Sequence, residues 1–166
     1  MTSPQRSPLR VDSCPPLRTT GSTARGRLTT RARQALDRAH AVARSSGRTQ
    51  VDTEDQLLAM FDVDDAFAVA ILSEWGVTRT AVEDDLRRLE RDATRGSAAR
   101  SRTPAARSVR DDAEAIAAEL GHHDVGTEHI LLALYAQEGL ARQLLARLGA
   151  DHEAVRARIV AVLNPT

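Results

Sequence analysis

Lysine is absent from this 166-residue chain, because all 23 of its basic residues are arginine. A P-loop uses a lysine to reach nucleotide phosphates, and a Schiff-base enzyme uses a lysine amine to attack a carbonyl. Aromatic residues make up 2% of the chain, too few for the side-chain platforms on which single-stranded nucleic acid stacks. These absences exclude a P-loop motor, a Schiff-base enzyme and an aromatic nucleic-acid platform from this sequence.

Cysteine and long hydrophobic runs are equally scarce. Cys14 is a single thiol, so it can form neither an internal disulfide nor a thiolate zinc cage. No stretch approaches the roughly 20 apolar residues of a membrane helix, and residues 1–17 lack the apolar core of a secretory signal. We therefore expect a cytoplasmic protein that makes no membrane contact. Its apolar residues are mainly Ala, Leu and Val, a composition that favours helices.

Charge alternates along the chain, although the 23 acidic and 23 basic residues balance. Residues 1–27 carry a net charge of +4 and residues 91–102 carry +3, whereas residues 28–90 carry −4 and residues 103–166 carry −3. The basic segments contain Ser, Pro or Gly, and the acidic ones are rich in Leu and Ala. This pattern predicts a disordered tail over 1–27, folded segments over 28–90 and 103–166, and a basic linker over 91–102.

The two acidic segments repeat each other at a separation of 74 residues. Thr29 aligns with Thr103 and Glu54 aligns with Glu128, and a one-residue deletion in the second copy shortens the later offset to 73. An internal duplication of this length indicates two units of the same fold.

Each copy is predicted to form four helices. Thr29, Thr53, Thr127 and Asp151 each precede an apolar stretch with helical spacing, as N-cap residues do. Gly121 follows such a stretch, as the glycine after a helix C-terminus does. No segment alternates like a strand for long. The sequence therefore predicts an all-α protein of two four-helix units related by a pseudo-twofold.

Residues 125–134 read Val-Gly-Thr-Glu-His-Ile-Leu-Leu-Ala-Leu, which resembles the GTEHILLGL signature of the Clp N-terminal repeat. That repeat occurs twice at the head of ClpA-, ClpB- and ClpC-type unfoldases. The run Thr103-Pro-Ala-Ala resembles the family's TPRA opening, and the run from Leu28 to Arg33 resembles FTERAR. The resemblance covers residues 28–163, with a ClpC-type spacing between opening Thr and signature Glu. It implies a ClpC-type double-repeat N-domain, which we expect to stand alone without the ATPase modules.

The resemblance also implies a function. It implies a non-catalytic, monomeric module without cofactors that binds substrate or adaptor proteins, including arginine-phosphorylated ones, and modulates proteolysis by a full-length Clp unfoldase. Each repeat would hold one phosphoarginine, with the signature Glu on the guanidinium and the opening Thr on the phosphate. In this sequence the implied pairs are Glu54 with Thr29 and Glu128 with Thr103. A carboxylate accepts two parallel guanidinium N–H bonds, and the amides at a helix N-terminus suit a phosphate.

The first copy departs from the signature, since it reads Asp52-Thr-Glu-Asp55 where the family has Gly-Thr-Glu-His. Replacing glycine by Asp52 removes backbone freedom and adds negative charge near the implied phosphate. The second copy is therefore the better candidate site. An acidic pocket for a guanidinium also lies beside an arginine-rich tail, so the tail itself is a hypothetical occupant.

Other interpretations remain open from sequence alone. Glu54 and Glu128 could serve only the helix dipole, with the threonine residues as caps. The arginine-rich tail could bind DNA phosphates, which would make the protein a DNA-contacting regulator with the repeats as a sensor. Metal-ligand residue types also cluster in the second copy, at His122, His123, Asp124, Glu128 and His129. Because the first copy lacks these histidine residues, we predict no metal site.

Overall fold

The computed structural model describes residues 26–95 and 109–164. Within these ranges the first copy forms α1 (Thr30–Ser45), α2 (Thr53–Met60), α3 (Phe67–Ser73) and α4 (Arg79–Arg95). The second copy forms α5 (Val109–Glu119), α6 (Thr127–Ala136), α7 (Leu140–Arg147) and α8 (His152–Leu163). The all-α prediction with four helices per copy is confirmed. Helix α4 continues to Arg95, past the boundary at residue 90 that the charge pattern suggested.

Two of the predicted N-caps have the expected geometry. The Thr29 hydroxyl accepts a hydrogen bond from the Ala32 amide at 3.1 Å, at the start of α1. The Asp151 carboxylate accepts from the amides of Glu153 and Ala154 at 3.1 and 3.3 Å, at the start of α8. These bonds satisfy amides that have no partner within their own helix.

The predicted roles of Thr53 and Thr127 as caps of their own helices are wrong. Both are the first residue of a helix, and each hydroxyl accepts from the third helix of the other repeat. Thr53 accepts from the Ala141 amide in α7 at 3.3 Å, and Thr127 accepts from the Ala68 amide in α3 at 3.2 Å. This reciprocal contact obeys the predicted pseudo-twofold, and it could not be read from local sequence because the partners are distant along the chain.

One hydrophobic core serves both repeats. Helix α3 packs against α6 and α8 of the second repeat, and α7 packs against α2 and α4 of the first. The fully buried side chains in this common cluster include Leu57, Met60, Ile71, Leu72, Leu131, Leu132, Leu144 and Leu145. Burial of these side chains stabilises the two repeats jointly.

Two short strands, which the sequence did not predict, bring the starts of α1 and α6 together. Strand β1 (Arg27–Leu28) pairs in parallel with β2 (Asp124–Val125), with Leu28 opposite Val125. Beyond the strand, the Thr29 amide donates to the Val125 carbonyl at 2.9 Å. In the part of the chain that the structure describes, no helix has the length and apolar character needed to cross a membrane.

Candidate functional site

The second signature forms a carboxylate site at the start of α6. Glu128 lies in the first turn, and its side chain is 13% exposed. The carboxylate folds back over the helix start, where its own backbone N–H donates to it. A methyl group on Gly126 would overlap this carboxylate, so any larger residue there would require the Glu128 side chain to move. Gly126 has a φ of −94°, so this position does not need the backbone freedom of glycine, contrary to the prediction from the sequence.

Two histidine residues, His122 and His129, lie beside Glu128. His129 Nδ1 accepts the Gly126 N–H at 2.9 Å. Because Nδ1 accepts, the proton of the neutral ring is on Nε2, which donates to His122 Nδ1 at 2.8 Å. Burial, with a smaller contribution from His122, lowers the pKa of His129 to about 4. His129 is therefore uncharged at neutral pH and forms no ion pair with Glu128, although the two side chains approach to 3.3 Å.

Glu128 is thus a preformed carboxylate at the start of α6. Burial raises its pKa, and its own backbone N–H and the nearby His122 partly oppose that effect. Within residues 26–95 and 109–164, no arginine forms an ion pair with it. Such a carboxylate has the acceptor capacity to bind an incoming guanidinium.

The first signature already holds a guanidinium from its own chain. Arg48 Nη1 lies 3.1 Å from Asp52 Oδ2 and 3.0 Å from Glu54 Oε1, and its Nη2 contacts Asp55. Asp55 is fully buried, and the side chains of Glu54 and Arg48 are 5% and 19% exposed. Asp55 also accepts the Asp52 amide at 2.9 Å, so it makes the same bond to the helix start that His129 makes in the second repeat.

Sequence reasoning found the two aspartates of this cluster but missed Arg48. A signal was present, because the 74-residue offset aligns Arg48 with His122 and places a cation where the other repeat has an imidazole. The hypothetical occupant, the arginine-rich tail over residues 1–27, lies outside the described residues except for its last two, 26 and 27. Within the described residues, the guanidinium comes from the loop after α1.

Burial dominates the electrostatics of the Arg48 cluster, which comprises Arg48, Asp52, Glu54 and Asp55. It raises the pKa of both Glu54 and Asp55, and the neighbouring carboxylates add to the rise while Arg48 opposes it. Burial also opposes protonation of Arg48, but attraction to the three carboxylates outweighs that effect and raises its pKa. The Arg48 guanidinium therefore stays charged and balances part of the negative charge of the surrounding carboxylates.

The structure separates Glu54 from Thr29 and brings Thr29 towards Glu128 instead. Arg48, which reaches Glu54, follows the C-terminal end of α1, where its amide donates to the Ala43 carbonyl at 2.9 Å. Thr29 caps the opposite end of α1, and the rise from Thr29 to Ala43 is about 21 Å. The strand pair holds Thr29 against Val125, three residues before Glu128. Thr103, the other predicted partner of Glu128, lies outside the described residues.

The start of α1 borders an open groove of about 560 Å³. Its lining residues are Thr29, Thr30, Arg31, Gln34, Asp64 and Asp65. The first amides of a helix have no partner within the helix, so this end of α1 offers N–H donors to an anion. Arg31 donates to the Asp64 carbonyl at 3.2 Å and lies 3.8 Å from the Asp65 carboxylate. In the ranges given above, no group of three or more His, Cys, Asp or Glu side chains is placed to hold a metal ion.

Comparison with known proteins identifies the family of the two repeats. The family described as the Clp repeat (R) N-terminal domain matches residues 27–111 and 101–166. The chain is 32% identical over 140 residues to the ATP-dependent Clp protease ATP-binding subunit ClpC of Staphylococcus saprophyticus, and 31% identical over 140 residues to that of Staphylococcus epidermidis. Each alignment covers 84% of this chain and 17% of the relative, so the chain spans about a sixth of their length.

A solved structure shows the same fold at lower identity. The N-terminal domain of the caseinolytic protease associated chaperone ClpD from Arabidopsis thaliana superposes with a TM-score of 0.65 and 23% identity. The superposition covers 86% of this chain and 98% of that domain. Since the two family matches together extend from residue 27 to residue 166, the chain belongs to the Clp repeat N-terminal domain family.

Proposed function

We propose that this chain is a non-catalytic protein-binding module that recognises arginine-phosphorylated proteins through Glu128 and modulates Clp-dependent proteolysis. The observation that carries the proposal is the pair of signature carboxylates. Glu54 accepts a guanidinium N–H from Arg48 at 3.0 Å, which supports guanidinium binding by a carboxylate at this position of the repeat. Glu128 occupies the equivalent place and has no arginine partner among the described residues.

The surroundings of Glu128 supply the rest of a phosphoarginine site. The guanidinium would donate to the Glu128 carboxylate, as charge-assisted N–H bonds do. The phosphate would lie at the start of α1, where the Thr29 hydroxyl still has its proton to donate and the first amides are available. The pairing of β1 with β2 holds these two parts side by side. The bound side chain would then contact both repeats.

The proposed partners follow from the relatives, which are ATP-binding subunits of an ATP-dependent Clp protease. We propose that the module binds the substrates or adaptors of such a protease. By occupying them it would assist or compete with a full-length unfoldase.

Titration of the chain with phosphoarginine tests the site. We expect saturable heat in calorimetry and a shift of the Gly126 amide resonance, and we expect Glu128→Ala to abolish both. Glu153→Ala is the matched control, because Glu153 is likewise the second residue of a helix, α8, but its side chain is 85% exposed. Absence of binding at millimolar ligand, or equal binding by the Glu128→Ala variant, would contradict the proposal.

A further inference from the structure

We infer that Arg48 is a built-in ligand that closes the first repeat, so that the chain accepts one external phosphoarginine rather than two. This inference rests on the proposed function, since it states which of the two signature sites is open. It concerns the Arg48 cluster, where an internal guanidinium already takes the place that an external one would need. The family resemblance by itself implied two equivalent pockets, so this assignment changes the expected stoichiometry.

A turn of the backbone delivers Arg48 to the carboxylates. Gly47 has a φ of +71°, a conformation that glycine adopts without strain, and the Arg48 amide then donates to the Ala43 carbonyl at 2.9 Å. In the second repeat, Gly121 has a φ of +77° and the His122 amide donates to the Ala117 carbonyl at 2.8 Å. The same turn therefore presents a guanidinium in one repeat and an imidazole in the other.

The residues that face the two turns also differ in charge between the repeats. Asp52 and Asp55 of the first repeat stand where the second has Gly126 and His129. Both aspartates contact the Arg48 guanidinium. The three substitutions thus form a set, in which two added acids accompany one added cation. The second repeat has none of the three, and burial lowers the pKa of its His129 to about 4, which leaves that ring neutral at pH 7.

An external guanidinium would have to displace Arg48 from this set. Arg48 is held a few residues from its acceptors along the chain, and a tethered partner competes at an effective concentration on the order of millimolar or more. Displacement would also take the cation away from Asp55, which is fully buried, and a buried charge that loses its partner is costly. Both effects favour Arg48 over a free ligand.

Exchange of the set between repeats tests the inference. The opened variant carries Arg48→His, Asp52→Gly and Asp55→His, which removes one cation together with two acids and so reproduces the charges of the second repeat. We expect calorimetry with phosphoarginine to give one site per chain for the natural sequence and two for the opened variant. With Glu128→Ala added, the natural sequence should lose its site and the opened variant should retain one.

The result for Glu128→Ala alone decides the proposed function, whereas the change in stoichiometry decides the present inference. Two sites in the natural chain, or no added site in a folded opened variant, would overturn the inference whatever Glu128 does. A second measurement needs no variant: the Arg48 guanidinium resonance should stay unmoved while phosphoarginine saturates the natural chain. A saturable shift of that resonance would also overturn the inference.

Discussion

Arg48 lies among three carboxylates in the first repeat, and the charge balance there depends on it. Two of those carboxylates, Glu54 and Asp55, are buried enough for their pKa values to rise despite the guanidinium beside them. The aspartates could be recognised from the sequence as departures from the repeated signature. The alignment of Arg48 with His122 marks Arg48 as another departure, but its partners could not be predicted, because they depend on the turn at Gly47 that follows α1.

Removal of this guanidinium should destabilise the protein in a pH-dependent way. At neutral pH we expect Arg48→Ala to lower the free energy of unfolding by about 3–5 kcal/mol, because buried carboxylates lose their cation. Carboxylates whose folded pKa is raised cost stability as they ionise, so the loss should grow as pH rises through those raised values and shrink towards pH ~4. Urea unfolding of both proteins across that pH range measures the difference.

Arg142→Ala provides the control for this experiment, since Arg142 is an exposed residue of α7. Its free energy of unfolding should change by less than about 0.5 kcal/mol. A loss for Arg48→Ala that is as small as the control, or that is equal at both ends of the pH range, would contradict the assigned charge balance.

At the scale of elements, α3 and α7 are short helices whose N-caps carry no side-chain acceptor. Ala66 precedes α3 and Gly139 precedes α7, and the hydroxyl of a threonine in the other repeat accepts from each helix instead. A methyl group on Gly139 would overlap Thr53, which explains the glycine by close approach. The helices themselves were predictable because caps and terminal glycines are local signals. The contacts of the two threonine hydroxyls were not predictable, because they join residues that only the fold brings together.

A substitution in α2 should therefore weaken the start of α7. Thr53→Val keeps the branched shape and removes the hydroxyl, so we expect a loss of about 1 kcal/mol in the free energy of unfolding, the typical contribution of a helix cap. Hydrogen exchange should show that the Ala141 amide loses protection, while the amides within α2 keep theirs. Thr80→Val is the matched control, because Thr80 is an exposed residue in the first turn of α4. Equal effects of the two substitutions would rule out the cap between repeats.

At the scale of the whole molecule, two ion pairs join the repeats at positions that the pseudo-twofold relates to each other. Asp85 of α4 pairs with Arg147 of α7, through contacts of 2.6 and 3.0 Å. Glu74, which follows α3, pairs with Arg158 of α8, through contacts of 2.8 to 3.1 Å. The 73-residue offset aligns Glu74 with Arg147 and Asp85 with Arg158.

The first repeat therefore supplies both acids and the second supplies both arginines. If two copies of the same repeat packed in this way, like charges would face each other and oppose the contact. The sequence showed two acidic segments of similar net charge, and that average concealed the opposite charges at this interface. The pairing of unlike repeats is thus encoded in four positions that only the three-dimensional arrangement relates to each other.

The Asp85–Arg147 pair should show a measurable coupling in a double-mutant cycle with alanine. Asp85 is 5% exposed, but the Arg147 side chain is 48% exposed. Solvent therefore screens this pair, yet its coupling at neutral pH should exceed that of a pair in which both side chains are exposed.

The hydrogen bonds from Arg147 lower the pKa of Asp85. A lowered carboxyl pKa gives stability that is present above the unfolded value and is lost as pH falls through the folded value, so the coupling should begin to decline near pH ~4 and disappear only below the lowered pKa of Asp85. Asp84 and Arg87 form the control pair, since they contact at 2.8 Å on the same helix but are more than half exposed, and their cycle should give a few tenths of a kcal/mol. A coupling no larger than that of the control pair would mean that this contact does not select the partner repeat.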